Sequence, residues 1–229
     1  MEFGIIIIVL ICVMFILKSV FRINKKQIEE IARNKELDEI ALKYPDNIDM
    51  CKEYLKILHN ETVTIEEDKD ATNSLYIATS NKIIIANVKE SFTRIQTIAH
   101  ECLHSIQDRK ILLFNFIYSN IYMLFFLIIS ILKLCNVLPY EMLFLAILMI
   151  GGFIYYFVRS YLENDAMTKA RFLAKEYMEN KKISSSEEIK KIVDHFDKIN
   201  DIGIKSVNYA LLCNVFMEIL IFCAICMIR

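Results

Sequence analysis

The sequence predicts a mainly α-helical membrane protein with about four transmembrane helices and one small α+β domain. Three observations carry this expectation. The chain of 229 residues is 55% hydrophobic with a mean hydropathy of +0.38, high for a water-soluble domain. Only four glycines and two prolines interrupt it, which favours long helices over a β-rich or disordered chain. Apolar runs at about residues 3–21, 111–134, 140–158 and 207–228 each approach the ~20 residues that cross ~30 Å of hydrocarbon as a helix.

These runs divide the chain into an anchor at 1–21, a polar domain at 22–110, a membrane hairpin at 111–158, a helical polar segment at 159–206 and a last span at 207–229. The first run lacks a basic start and is followed by Lys18, Arg22, Lys25 and Lys26 rather than by a small-residue cleavage site. It reads as a retained anchor, not a cleaved signal. Lys18, Arg22, Arg109, Lys110, Arg159 and Lys205 flank the ends of the runs on one side, and the loop at 135–139 carries no charge. The excess of basic residues on that side assigns both polar segments to the cytoplasm. With a net charge of -1 the chain has no electrostatic footprint for nucleic acid, and its partners are expected to be the lipid bilayer and a protein or peptide. Seven cysteines, an odd number, fit no disulfide framework.

Within the polar domain, residues 27–60 read as mainly helical. Apolar spacing runs through Ile28, Ile31, Leu37, Ile40 and Ala41, and after a break at Pro45 through Tyr54, Leu55 and Leu58. Residues 62–66 alternate as a strand, and 75–79 with 82–88 flank a turn at Ser80-Asn81. Phe92, Ile95, Ile98, Ala99, Cys102, Leu103 and Ile106 recur at helical spacing, with Ser91 or Thr93 as the cap. Cys102 falls on the core side of that helix.

The same helix carries His100-Glu101-Cys102-Leu103-His104, an H-E-x-x-H sequence holding two of the chain's four histidines. Residues four apart share a helix face, so His100 and His104 can offer two imidazole nitrogens to one metal ion. Glu101 is placed to reach a metal-bound water as a general base. This is the equipment of a zinc hydrolase. Gln107 and Asp108 follow His104 by three and four residues, and either can accept the free N–H of a ligating imidazole.

A catalytic zinc takes three protein ligands and keeps one position open. The hairpin returns the chain near Arg159, and Tyr161-Leu162-Glu163-Asn164-Asp165-Ala166 follows. Glu163 is the leading third ligand, with Asp165 as the alternative or as a supporting acceptor. Acids at the start of a helix over 160–180 also suit its dipole, so spacing alone leaves both readings open. Ser184 with Glu187 resembles a capping box opening a further helix at about 185–199. His195 reads as solvated, and His59 as a partner for a helix C-terminus. Glu218 falls inside the last apolar run, where an ionised acid is expensive and the acid is expected either to stay protonated or to pair with Asn115, Ser119 or Asn120. Tyr155, Tyr156 and Tyr161 are candidate oxyanion donors.

H-E-C-L-H-S-I-Q at 100–107, a hydrophobic hairpin, and E-N-D-A at 163–166 together resemble the bacterial membrane-bound neutral zinc metallopeptidases, the zinc-dependent peptidase type 2 family. The resemblance covers about residues 60–180. It implies a zincin-like domain, His100, His104 and Glu163 as zinc ligands, Glu101 as base, and a multi-pass location in a bacterial cell membrane. Leu103 departs from the glycine common in that family before the second histidine. The expectation is a zinc peptidase cutting at the cytoplasmic membrane surface. The alternatives are a catalytically inactive integral membrane scaffold or regulator with a metal-stabilised domain, and, less favoured, a transporter.

Overall fold

A computed structural model of the chain describes residues 1–22, 30–68, 70–71, 73–87 and 90–228. Ile28 and the helical start at 27–29, Lys25, Lys26, the strand end at Val88, and Arg229 lie outside the described residues. The elements are α1 (Glu2–Val20), α2 (Lys35–Leu42), α3 (Asn47–Ile57), β1 (Thr64–Asp68), β2 (Leu75–Ile77), β3 (Lys82–Ala86), α4 (Thr93–His104), α5 (Arg109–Leu134), α6 (Glu141–Lys181) and α7 (Ser186–Met227). The chain forms two compact units. One comprises Met1–Ile23, Phe114–Tyr161 and Lys205–Arg229, the other Asn24–Leu113 and Leu162–Ile204.

Among the described residues four helices are long and apolar enough to cross a membrane, α1, α5, α6 and α7, and their apolar parts make up the first unit. Their outward faces are apolar. Ile5, Ile8, Phe15 and Val20 of α1 are exposed while Leu10 is buried, the pattern of a helix whose solvent is lipid. The interior packs Tyr122, Phe126 and Ile129 of α5 against Leu145 and Leu148 of α6 and Val215, Ile219 and Phe222 of α7. Gly152 makes this approach possible. A Cβ there would run into Val215 Cγ1 and stand 2.6 Å from the Tyr122 hydroxyl, so the small residue sets the closeness of the helices. Glu218 on α7 lies near the Tyr122 hydroxyl of α5, but that hydroxyl makes no hydrogen bond among the described residues, and Ser119 and Asn120 turn back to Phe116 O of their own helix.

The second unit is an α+β structure. Asn34 Oδ1 caps α2 by accepting Leu37 N–H at 3.3 Å, and Asp46 Oδ1 caps α3 by accepting Asp49 N–H at 2.9 Å. Pro45 lies between, where the sequence breaks helical spacing. The sheet order is β1-β3-β2, with β1 parallel and β2 antiparallel to β3. The hairpin forms as expected, with Asn81 in the left-handed region at φ 50, but β2 stops at Ile77 and the connection is longer than a two-residue turn. β1 is displaced to Thr64–Asp68 from the expected 62–66. Ile83 and Ile85 of β3 point into a core shared with Met50, Cys51 and Tyr54 of α3 and Ile95, Ile98, Ala99 and Cys102 of α4. The α4 stripe follows the spacing read from sequence as far as Leu103, but Ile106 lies past the helix end and is exposed, and the N-cap is Phe92 with no side-chain cap rather than Ser91 or Thr93. Leu103 is also buried in this core, so the bulk at that position is accommodated.

Arg94 locks α4 to the α2–α3 corner. Its Nη1 donates to Pro45 O (2.9 Å) and Asn47 Oδ1 (2.8 Å), and its Nη2 to Ala41 O (2.8 Å) and Tyr44 O (3.0 Å). A buried guanidinium thus binds the Tyr44 and Pro45 carbonyls past the end of α2 and adds a second donor to Ala41 O, which also accepts Tyr44 N–H at 3.1 Å.

Two boundaries differ from expectation. α6 continues unbroken from the third apolar run through residue 181, and α7 likewise joins the polar helix to the last run. The capping box at the start of α7 is one residue later than read. Ser185 Oγ accepts Glu188 N–H at 3.2 Å and Glu188 Oε2 accepts Ser185 N–H at 2.8 Å.

Candidate metal centre

The centre lies wholly within the second unit. α4 ends at His104, so His100 and His104 occupy its last turn on one face. Glu163 projects from α6, which belongs to this unit from Leu162 onward. Because α6 is continuous, Glu163 sits in mid-helix, and the macrodipole explanation for an acid at a helix start does not apply.

His100 Nε2 and His104 Nε2 are 3.1 Å apart, and Glu163 Oε2 lies 3.4 Å from the first and 3.7 Å from the second. Neighbouring ligand atoms of a tetrahedral cation with bonds of ~2.0–2.1 Å stand about 3.3–3.4 Å apart. The three atoms therefore have the spacing of one face of such a site. His100, His104 and Glu163 form a group that could hold a metal ion.

The surroundings fix this geometry. His104 Nδ1 is 2.8 Å from Gln107 Oε1. The Gln107 amide nitrogen donates to Leu162 O at 2.8 Å and to Asp165 Oδ2 at 3.1 Å. With its nitrogen facing two oxygens, the amide must present oxygen to His104. His104 Nδ1 then carries the proton and Nε2 the lone pair a cation needs. Of the two residues expected to accept from the imidazole, Gln107 does so from just past the helix end. The Asp108 carboxylate instead accepts Lys110 N–H at 2.8 Å at the start of α5, because the chain turns after Gln107. Asp165 supports Gln107 and pairs with Lys169 at 2.6 Å.

Glu101 is buried, with Oε2 accepting Tyr76 N–H at 2.7 Å and Oε1 4.0 Å from His100 Nε2. β2 is an edge strand and Tyr76 N–H points away from β3, so main chain holds the carboxylate. Nothing in the identity of Tyr76 signals this role. Burial raises the Glu101 carboxyl above the usual carboxylate range, opposed by the two histidines and by the Tyr76 N–H. Burial alone would depress the His104 imidazole, but the Glu163 carboxylate outweighs it and the net shift is upward. Burial also works upward on Asp165, where Lys169 and Gln107 prevail and lower it.

Two buried amides lie one turn back along both helices. Gln96 Nε2 donates to Asn200 Oδ1 at 2.6 Å, and Asn200 Nδ2 donates to Met167 O at 3.1 Å. Gln96 precedes His100 by four residues and Met167 follows Glu163 by four, so this bridge fixes the spacing of the two ligand-bearing helices. Cys102 packs against Cys51, Sγ to Sγ 3.5 Å, on the core side of α4 as expected. His195 is not simply solvated. Its Nδ1 is 2.9 Å from Lys191 O and its ring meets Phe92 edge-on. His59 follows α3 with φ 53 and donates its N–H to Lys56 O. Tyr155, Tyr156 and Tyr161 belong to the first unit.

No protein-family model, curated protein or solved structure matches the chain.

Proposed function

We propose that the chain is a membrane-anchored zinc metallopeptidase of the zincin-like kind, hydrolysing peptide bonds at the cytoplasmic membrane surface of a bacterial cell. The observation that carries this reading is the convergence of His100 Nε2, His104 Nε2 and Glu163 Oε2 with an unligated carboxylate, Glu101, beside them. Two imidazoles and one carboxylate form the ligand set of many catalytic zinc sites, which leave a position open. The motif resemblance to the membrane-bound zinc metallopeptidases supports the same assignment. His100 and His104 precede the apolar run of α5 by several residues, which favours chemistry in water over chemistry in lipid.

When bound, zinc supplies Lewis-acid polarisation of the peptide carbonyl and acidifies a water. The chain's own residues then act on protons and position. Glu101 takes the proton of the attacking water at Oε1 while Oε2 stays on Tyr76 N–H, and it returns that proton to the leaving amine. Gln107 keeps His104 in the Nδ1–H tautomer. The outer edge of β2, with its Tyr76 N–H already held by Glu101, offers its remaining main-chain groups to an extended peptide by strand addition.

The test is the zinc content of purified protein together with turnover of an unstructured protein substrate. Zinc with turnover that Glu101→Gln removes supports the peptidase. Zinc without turnover supports the scaffold or regulator with a metal-stabilised domain.

A further inference from the structure

A cleft of about 160 Å³ lies between the segment that leads into β2 and α4, lined by the polar Asn47, Asn73, Ser74, Arg94 and Thr97 and by the apolar Ile98 among others. That is about ten times the ~10–15 Å³ needed to admit one water. No acid lines it among the described residues. Thr97 is exposed and precedes Glu101 by four residues, so it shares the Glu101 face of α4 one turn, about 5–6 Å, away. Ser74 precedes Tyr76 by two residues on the β2 side. Its Oγ accepts Ala86 N–H at 3.1 Å, which leaves its hydroxyl proton to donate.

Arg94 gives the cleft its sign. The residue is 6% exposed, and its four Nη hydrogen bonds go to neutral acceptors, three carbonyls and the Asn47 amide oxygen. Its Nε–H has no hydrogen-bond partner among the described residues. Carbonyls satisfy the donors but do not neutralise the charge, and Asp46, the acid that acts on Arg94, does not outweigh the cost of burying it, so a further opposite charge is favoured. The cleft therefore combines one buried cation at its wall, the Ser74 and Thr97 hydroxyls, and no acid in its lining among the described residues.

We propose that this cleft is a carboxylate-binding subsite that selects an acidic group on the peptide lying along β2. This rests on the peptidase reading for its biological meaning, but not for its binding chemistry. An extended chain advances ~3.3 Å per residue, so the acidic group stands about two residues from the bond beside Glu101. The carboxylate comes either from an aspartate or glutamate side chain or from a peptide C-terminus.

The experiment measures binding of labelled peptides to the full-length Glu101→Gln protein in detergent. Aspartate is scanned through a neutral, amidated sequence against asparagine at the same position, with a second series ending in a free carboxylate. At one position aspartate is expected to bind at least tenfold more tightly than asparagine. A preference seen only with free ends assigns the cleft to chain termini and equally supports a carboxylate subsite. Thr97→Val should reduce the preference several-fold, and Thr97→Glu, on an exposed position that spares the fold, should abolish it. Equal binding of acid and amide peptides in both series, no peptide binding, or a preference untouched by Thr97→Glu would overturn the proposal. Turnover by the wild type separates the two readings. Acid-selective binding without turnover keeps the cleft and removes the peptidase, and turnover without acid selectivity does the reverse.

Discussion

Gln107 Oε1 lies 2.8 Å from His104 Nδ1, and the same amide reaches Asp165 and the Leu162 carbonyl through its nitrogen. One side chain thus sets the tautomer of a ligand on α4 and ties it to the segment of α6 that carries Glu163. Gln107→Ala should release the ring and weaken metal binding about 10–100-fold. Competition with a chromophoric chelator measures this. An affinity equal to wild type would mean that Gln107 does not orient the ligand.

Glu101→Gln should leave the metal in place and lower hydrolysis about 10²–10⁴-fold. The amide oxygen can still accept Tyr76 N–H, so the fold around β2 is retained, but the side chain no longer takes up a proton. Metal content and turnover measured on one preparation separate the two effects. Full activity in the variant would remove Glu101 from the chemistry.

Arg94→Met should destabilise the second unit by on the order of 3 kcal/mol, because the Tyr44 and Pro45 carbonyls and the Asn47 amide oxygen lose the guanidinium donor in a buried corner. Thermal unfolding and protease sensitivity report it. A change within about 0.5 kcal/mol, the range of ordinary surface substitutions, would show that water replaces the guanidinium.

Gly152→Ala should destabilise the packing of α5, α6 and α7 in the first unit by about 1–3 kcal/mol, since the added methyl group meets the Tyr122 hydroxyl at 2.6 Å and Val215. The midpoint of thermal aggregation in detergent should fall by several degrees. An unshifted midpoint would indicate that Tyr122 swings aside at no cost.

The helical stripe of α4, the His100–His104 pair, the hairpin at Asn81 and the four apolar helices were legible because each depends on local periodicity or on a short turn signal. Glu163 was reachable from the order of segments, but its setting in mid-helix was not. Hydropathy marks where apolar character ends, and α6 and α7 continue past that point because nothing in 158–162 or 200–206 stops a helix. Gly203 alone is too weak a breaker. Ser184 with Glu187 and Ser185 with Glu188 fit the capping box equally well, so its register at Ser185 depended on packing. Asp108 and Gln107 were indistinguishable by spacing, and the end of α4 at His104 decided between them. The hold of Tyr76 on Glu101 and the grip of Arg94 on the α2–α3 corner use main-chain partners far away in sequence, which no residue type announces.

Elemental analysis of the chain purified without added metal, beside Glu163→Ala, tests the central claim most directly. One zinc ion per wild-type chain, with content lost or reduced at least tenfold in the variant, is the predicted result. A wild-type protein free of metal that also fails to bind zinc, or a Glu163→Ala protein that keeps its full complement, would contradict it.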